Sequence, residues 1–320
     1  MLLSRLIVGM WPVGLMVLGA GAVCGQDFPN KPIRVVAGSL GGGSDFTARL
    51  IATGLSSSMG QSVLVDNRGG DIIPGEIVAK APDGYTLLLT GSSFWLVPFL
   101  YKGVPWDPVR DFAPVTLAAD SPNILSVHPS VAANSVKELI ALAKAKPGGL
   151  NYSTGGAGGS SNLAAELFNS MAGVNIVRVT YKGGGPAALA LASGEVQVTF
   201  ATTSATTPHA TSGKIRPLAV SSAQPSPLAP NLPTIAASGL TGYESGSSYG
   251  IFAPAKTPAA VINRLNQEIV RVINRRDVTE KFFNTGVRAV GSSPQELAAT
   301  VKSEMAKYGK VIKDVGIRAE

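Results

Sequence analysis

Three short segments of this 320-residue chain combine glycine with hydroxyl side chains where an apolar run hands over to helical spacing. They are Gly38-Ser39-Leu40-Gly41-Gly42-Gly43-Ser44-Asp45, Thr90-Gly91-Ser92-Ser93, and Thr154-Gly155-Gly156-Ala157-Gly158-Gly159-Ser160-Ser161. Glycine admits close backbone approach, and a helix N-terminus offers free N–H groups with a partial positive charge. Such loops can cradle an anion without any lysine or arginine. A charge-assisted hydrogen bond contributes about 1.5–3 kcal/mol, so roughly five of them, less a few kcal/mol for ordering, bring micromolar binding within reach.

Enzymatic readings of the same residues fail on spacing. Gly41-Gly42-Gly43 precedes a helix, and Asp66 ends the next strand, as a dinucleotide site would require, but G-x-G-x-x-G is absent. Gly246-Ser247-Ser248-Tyr249-Gly250 matches the G-x-S-x-G nucleophile elbow. That triad runs serine, acid, histidine along the chain, whereas both histidines, His128 and His209, precede Ser248. The segment therefore reads as a flexible crossing between two units. Both histidines sit in loop contexts, and neither has metal-ligand spacing. No catalytic residue, metal ligand or cofactor is expected.

The loops need elements to position them. Ile33–Val36, Val63–Val65 and Thr86–Thr90 read as strands, with helices over Ser44–Met59 and Ile72–Ala79 between them. The grammar repeats with a helix opened by the Ser135-Val136-Lys137-Glu138 capping box, then a strand at Leu150–Tyr152. A helix over Ser161–Met171, a strand at Ile176–Val179, a helix over Pro186–Ala192, and strands at Val196–Phe200 and Ile215–Val220 complete that unit. Near-continuous apolar strands alternating with helices point to mostly parallel sheets covered on both faces. Towards the end, Thr257-Pro258 is expected to cap a helix with Val261, Leu265, Ile269, Val272 and Ile273 on one face. Ser293-Pro294-Gln295-Glu296 opens the last helix. These helices need the first unit to pack on, which implies two crossings, near residues 116–124 and 242–250. A cleft between hinged lobes follows.

The N-terminus reads as a secretory signal peptide. Arg5 is the only charge before Asp27, an uncharged stretch runs from Leu6 to Val23, and small residues surround Cys24. Pro12 and the glycines within the run argue against a membrane anchor, and Val23 is a poor fit for lipidation of Cys24. Cys24 is the only cysteine, so cleavage after it leaves neither disulfides nor thiolate chemistry. Removing Arg5 leaves 26 basic against 20 acidic residues. They are scattered and not interleaved with aromatics, which excludes a nucleic-acid interface.

Several further motifs occur in order: Phe28-Pro29-Asn30-Lys31-Pro32-Ile33-Arg34, Ala81-Pro82-Asp83-Gly84-Tyr85-Thr86-Leu87, Asp107-Pro108-Val109-Arg110-Asp111-Phe112-Ala113-Pro114-Val115 and Tyr181-Lys182-Gly183-Gly184-Gly185-Pro186-Ala187. With the Gly41–Asp45 loop and Ala48-Arg49, the chain resembles the substrate-binding receptors of tripartite tricarboxylate transporters, the Bug family. The resemblance implies a periplasmic two-lobed "Venus flytrap" α/β fold, monomeric, that holds a small organic anion and performs no chemistry. Residues 1–25 would be the signal peptide, 26–120 with 246–320 the first lobe, and 121–245 the second. Partners would be the membrane permease subunits of a tripartite transporter or, in a second version, a membrane sensor domain.

By that resemblance, Ser39, Leu40, Gly42, Gly43, Ser44 and Asp45 hold one end of the ligand. Thr154, Gly155, Gly156, Ser160 and Ser161 hold the other, Thr90, Gly91 and Ser92 line the floor, and Ala201 and Thr202 complete the set. The chain departs from its relatives at Ser39-Leu40, at Arg68–Pro74, at Asn162 where a histidine is common, and at Ala201 where an aspartate is common. Loss of that acid disfavours a ligand carrying an ammonium group, so a plain carboxylate is expected over an amino acid.

Overall fold

Alternation inside the apolar strands decides how the first sheet is covered. Leu87 and Leu89 face one buried cluster and Leu88 the other. Ile33, Val35 and Ala37 likewise join one cluster and Val36 the other. A strand buried on both faces has no polar side to show, which is why these runs are nearly continuous in apolar residues.

A computed structural model describes residues 28–38, 43–70, 72–80 and 82–318. The expected signal peptide with Cys24, and Ser39, Leu40 and Gly42 of the first loop, lie outside the described residues. The first part of the chain forms β1 (Ile33–Ala37), α1 (Gly43–Met59), β2 (Val63–Asn67), α2 (Ile72–Ala79), β3 (Thr86–Gly91), α3 (Ser93–Leu100) and β4 (Phe112–Ser121). After Pro122 come β5 (Asn123–Val127), α4 (Val136–Ala145), β6 (Asn151–Thr154), α5 (Ser160–Ala172) and β7 (Val177–Thr180). They are followed by α6 (Gly184–Ala192), β8 (Val198–Thr202), α7 (Thr203–Thr211) and β9 (Arg216–Val220). The chain ends with β10 (Ser247–Pro254), α8 (Ala259–Ile273), α9 (Arg276–Asn284), β11 (Arg288–Ala289) and α10 (Pro294–Val315).

These strands form two sheets, ordered β11-β4-β10-β3-β1-β2 and β7-β6-β8-β5-β9. The α/β architecture is as expected, but the sheets are mixed rather than mostly parallel. β1 pairs in parallel with β2 and β3, and β6 with β7 and β8. β10 runs antiparallel between β3 and β4, β11 antiparallel to β4, and β5 antiparallel to β8 and β9. The reason is topological. β4 leaves the first sheet for the second, and β10 returns from it, so the returning strand enters head-to-tail against its neighbours. Residues 247–250, expected to be a flexible crossing, belong to that central strand, and the passage between sheets lies just before them.

Local signals acted as anticipated at several helices. Val261, Leu265, Ile269, Val272 and Ile273 of α8 are all buried. The Thr257-Pro258 cap is a correction: Pro258 is the N-cap with no side-chain bond, and the buried Thr257 hydroxyl has no hydrogen-bond partner among the described residues. His209, expected in a loop, lies in the last turn of α7. Ser135 accepts from the Glu138 N–H, but the Glu138 carboxylate takes the N–H of Asn134 rather than that of Ser135, so only half of a reciprocal box forms.

The box at α10 is complete. Ser293 accepts from the Glu296 N–H while Glu296 accepts from the Ser293 N–H. Ser293→Ala is expected to lower unfolding stability by about 1 kcal/mol, read as a lower urea midpoint with unchanged slope. α10 does not serve one sheet alone. It packs on β4 and α3 and reaches α5, and one apolar cluster runs from Trp95 and Phe252 through Tyr308 to Tyr152 and Phe168. Among the described residues, no helix is long and apolar enough to cross a membrane.

Candidate functional site

Three helices begin within a few residues of the C-terminal ends of parallel strands. β1 leads to α1, β3 to α3 and β6 to α5, so three helix N-termini gather at the edges of the two sheets. A cavity of about 300 Å³ lies among them. Gly38, Gly43, Ser44 and Gly70 form one wall, Thr90 to Ser93 the floor, Gly159 and Ser160 the facing wall, and Ser247 and Tyr249 one end. Among the described residues, no charged side chain lines it. The Tyr249 hydroxyl is the one titratable group among the described lining residues, and burial pushes it up despite a hydrogen bond with Ser247.

The structure thus gathers Gly43, Ser44, Thr90, Gly91, Ser92 and Ser160 of the expected residues around one space. The other described ones sit behind it. Asp45 is buried with its carboxylate 2.8 Å from Arg49 Nε and accepting from the Asn67 amide at 2.8 Å. The same amide donates to the Gly38 carbonyl at 2.9 Å. Asp45 therefore ties the start of α1 to the ends of β1 and β2. Thr154 and Ser161 share a 2.8 Å hydroxyl contact that closes the third loop. Gly155 presses on the chain at Gly183 and Gly184, where a Cβ would come within 2.9 Å of backbone atoms. Ala201 is buried at the end of β8, and the Thr202 hydroxyl meets Ser204. Gly156, whose carbonyl accepts from Thr154, belongs to the same turn rather than to the cavity wall.

A buried polar ladder holds the third loop in place. The Gly158 N–H donates to Asn162 Oδ1 at 2.9 Å, the Asn162 amide donates to the Tyr152 hydroxyl at 2.8 Å, and that hydroxyl donates to Glu166 at 2.6 Å. Burial and the Glu166 charge push the Tyr152 hydroxyl far up, which keeps it a donor. Gly158 also abuts Leu100 of α3, and Ser247 Oγ donates to Ser160 Oγ at 2.8 Å, so the Gly159–Ser160 wall meets both α3 and the β10 end of the cavity.

Gly70, Ser247 and Tyr249 are the lining residues that lie outside the three loops. Glycine and serine in the crossing segment were a signal of sorts, but only strand register shows which of them face the cavity. The Ser248 hydroxyl of the G-x-S-x-G match donates to Glu304, with no histidine in the arrangement. His128 Nδ1 meets Ser130 Oγ. Among the described residues, no group of three or more histidine, cysteine or acidic side chains is placed to hold a metal.

Comparison with known proteins fits this geometry to a family. Residues 47–317 match the family described as "Tripartite tricarboxylate transporter family receptor". The chain belongs to that family. The receptor is 32% identical to protein BugT of Bordetella pertussis over 96% of its own length and 97% of that protein. The solved structure of Rpa4515 from R. palustris, with adipate, is 38% identical with a TM-score of 0.80, covering 91% of the receptor and 99% of that chain. MatC from Rhodopseudomonas palustris, with bound malate, is 27% identical with a TM-score of 0.76, covering 89% of the receptor and all of that chain. The receptor is thus a Bug-family protein with the two-lobed binding-protein fold and a periplasmic solute-binding role.

Proposed function

We propose that the receptor captures a small plain carboxylate, above all a short dicarboxylate, between its lobes and presents the closed form to the permease of a tripartite transporter. The observation that carries this reading is the convergence of three helix N-termini and several hydroxyls on a cavity that no charged side chain lines among the described residues. Backbone N–H groups and helix dipoles satisfy a carboxylate without a cationic partner. A cavity of about 300 Å³ suits a small molecule. The ligands of Rpa4515 and MatC, adipate and malate, belong to this class. Among the described residues no acid lines the cavity to pair with an ammonium group, which favours a plain acid over an amino acid.

In this reading residues 26–120 with 246–320 form one lobe and residues 121–245 the other. Closure across Pro122 and the segment before Ser247 reports occupancy. The chain is exported, and intact mass of the periplasmic form should place its first residue close to Gln26.

The deciding experiment is thermal unfolding of the mature chain, first unfolded and refolded to strip carried-over ligand, against dicarboxylates, amino acids and aromatic acids. A ligand at 100 times its dissociation constant adds about 2.7 kcal/mol, a readily visible rise in Tm. A shift with adipate or malate, recovered unchanged, is the expected result. A response to aspartate or glutamate alone would overturn the plain-carboxylate reading, and turnover would overturn the receptor reading.

A further inference from the structure

Successive side chains of β10 engage different partners. Ser247 meets Ser160 and Tyr249 stands beside Gly43, both at the cavity. Ser248, between them, donates its hydroxyl to Glu304 Oε1 of α10 at 2.7 Å. This is the alternation of a strand, which sends neighbouring residues to opposite faces. The second oxygen of Glu304 accepts from Trp95 Nε1 at 2.9 Å. Trp95 is fully buried and lies two residues beyond Ser93, on the helix whose start supplies the cavity floor. One carboxylate therefore grips, from behind, the two elements that carry Ser247, Tyr249, Ser92 and Ser93.

Glu304 also lines a second cavity, of about 590 Å³, on the outer side of the hinge. Its charged surroundings are few. Lys307 of α10 pairs with Glu244 at 3.3 Å, Arg288 of β11 pairs with Asp120 of β4, and the Tyr308 hydroxyl meets Ser245. The carboxylate is left to the two neutral donors. Burial pushes it up, against the pull of Ser248, Trp95 and Lys307 and with the help of Glu244.

We propose that Glu304 is a positioning residue of the receptor, which sets the spacing of the β10 and α3 walls of the ligand cleft by holding Ser248 and Trp95 together. The proposal rests on the reading of that cleft as the ligand site. Its core, the coupling between Glu304 and the cleft walls, can be tested without a ligand. Glutamine at this position can still accept from Trp95 and donate to Ser248, whereas alanine can do neither.

The sign of the pH effect follows from the upward shift. Relative to the unfolded chain, the Glu304 contribution to stability is full below the ordinary carboxylate range and is lost as pH rises through the raised pKa. The test is a pH titration of the isotope-labelled mature receptor by NMR. In the wild type the Trp95 indole N–H and the backbone amides of Ser247 and Tyr249 should shift along one curve. The Trp106 indole, bonded to the Ile72 carbonyl, serves as the control that stays put. Glu304→Gln should abolish the titration. Ser248→Ala should leave Trp95 titrating but uncouple Ser247 and Tyr249.

With adipate as the probe, affinity should fall about tenfold in Ser248→Ala and Glu304→Ala, the scale of a hydrogen bond to a charged group, and return largely in Glu304→Gln. Ser247 and Tyr249 amides that ignore the Trp95 titration would overturn the proposal. So would a folded Ser248→Ala receptor with wild-type affinity. Failure of the wild type to bind adipate would count against the proposed ligand class, and the amide titration would then decide the role of Glu304 by itself.

Discussion

Gly43→Ala is expected to lower adipate affinity by at least about tenfold while the protein stays folded. A Cβ at Gly43 would lie 2.1 Å from the Tyr249 hydroxyl oxygen and 2.6 Å from the ring carbon that bears it. The Tyr249 backbone cannot retreat, since it is paired with Gly91 of β3 on one side and Ala119 of β4 on the other. The ring must swing instead, and the open space beside it is the proposed ligand cavity. The contact is thus relieved at the expense of binding more than of stability. Calorimetric titration checks this. Adding Tyr249→Phe removes the nearer contact but not the one to the ring, so the double variant should recover only part of the loss. Wild-type affinity in Gly43→Ala would show that the tyrosine relaxes elsewhere, and the assignment of this end of the cavity would fall.

The second large effect belongs to Asn162→Ala, which is expected to cost about 2–4 kcal/mol of stability and to weaken binding as well. Asn162 is fully buried and bonded at both ends of its amide, to Gly158 of the third loop and to Tyr152 of β6. Truncation strands a buried N–H and takes a donor from the Tyr152 hydroxyl, in a place where each unsatisfied group costs about 1–3 kcal/mol. The loss of support falls on the loop that precedes Ser160. Urea denaturation gives the first effect and calorimetry the second. A cost below about 1 kcal/mol would mean that water takes over the amide's role.

The glycine- and hydroxyl-rich turns into helix N-termini were legible because their chemistry is local. Glycine and hydroxyl residues between a strand and a helix report a tight turn into a helix N-terminus, whatever the rest of the chain does. The α/β alternation was legible for the same reason, as was the apolar face of α8.

Other elements carried no periodic signal. α3 packs between the sheet and α10 but is apolar beyond its buried face as well, at the exposed Pro98 and Phe99, so no stripe marks it as a helix. α7 is built of threonine, serine and alanine with Pro208 near its end, and reads as a loop. Mixed pairing was hidden because the direction of a strand depends on where the chain has been, not on which residues form it. Asp45 shows the limit at the site itself. A carboxylate beside a glycine loop invites a ligand role, but Asn67 and Arg49, which engage it, come from elsewhere along the chain and its helix. Tyr249 shows the converse, since only its register opposite Gly91 brings its ring to the cavity.

The place of β10 also shapes how the molecule comes into being. It is the inner strand between β3 and β4, yet the whole of the second sheet is synthesised before it. During folding, β3 and β4 keep unpaired edges until β10, which lies beyond the whole of the second sheet in the chain, has entered between them. The second sheet, whose strands form one continuous stretch of chain, has no such wait. The half of the cleft made of β6 and α5 can therefore mature while the half made of β1 and β3 is still an open seam. During that interval the seam is the point most exposed to wrong pairing with another unfolded chain, and a holding chaperone would have its clearest target there.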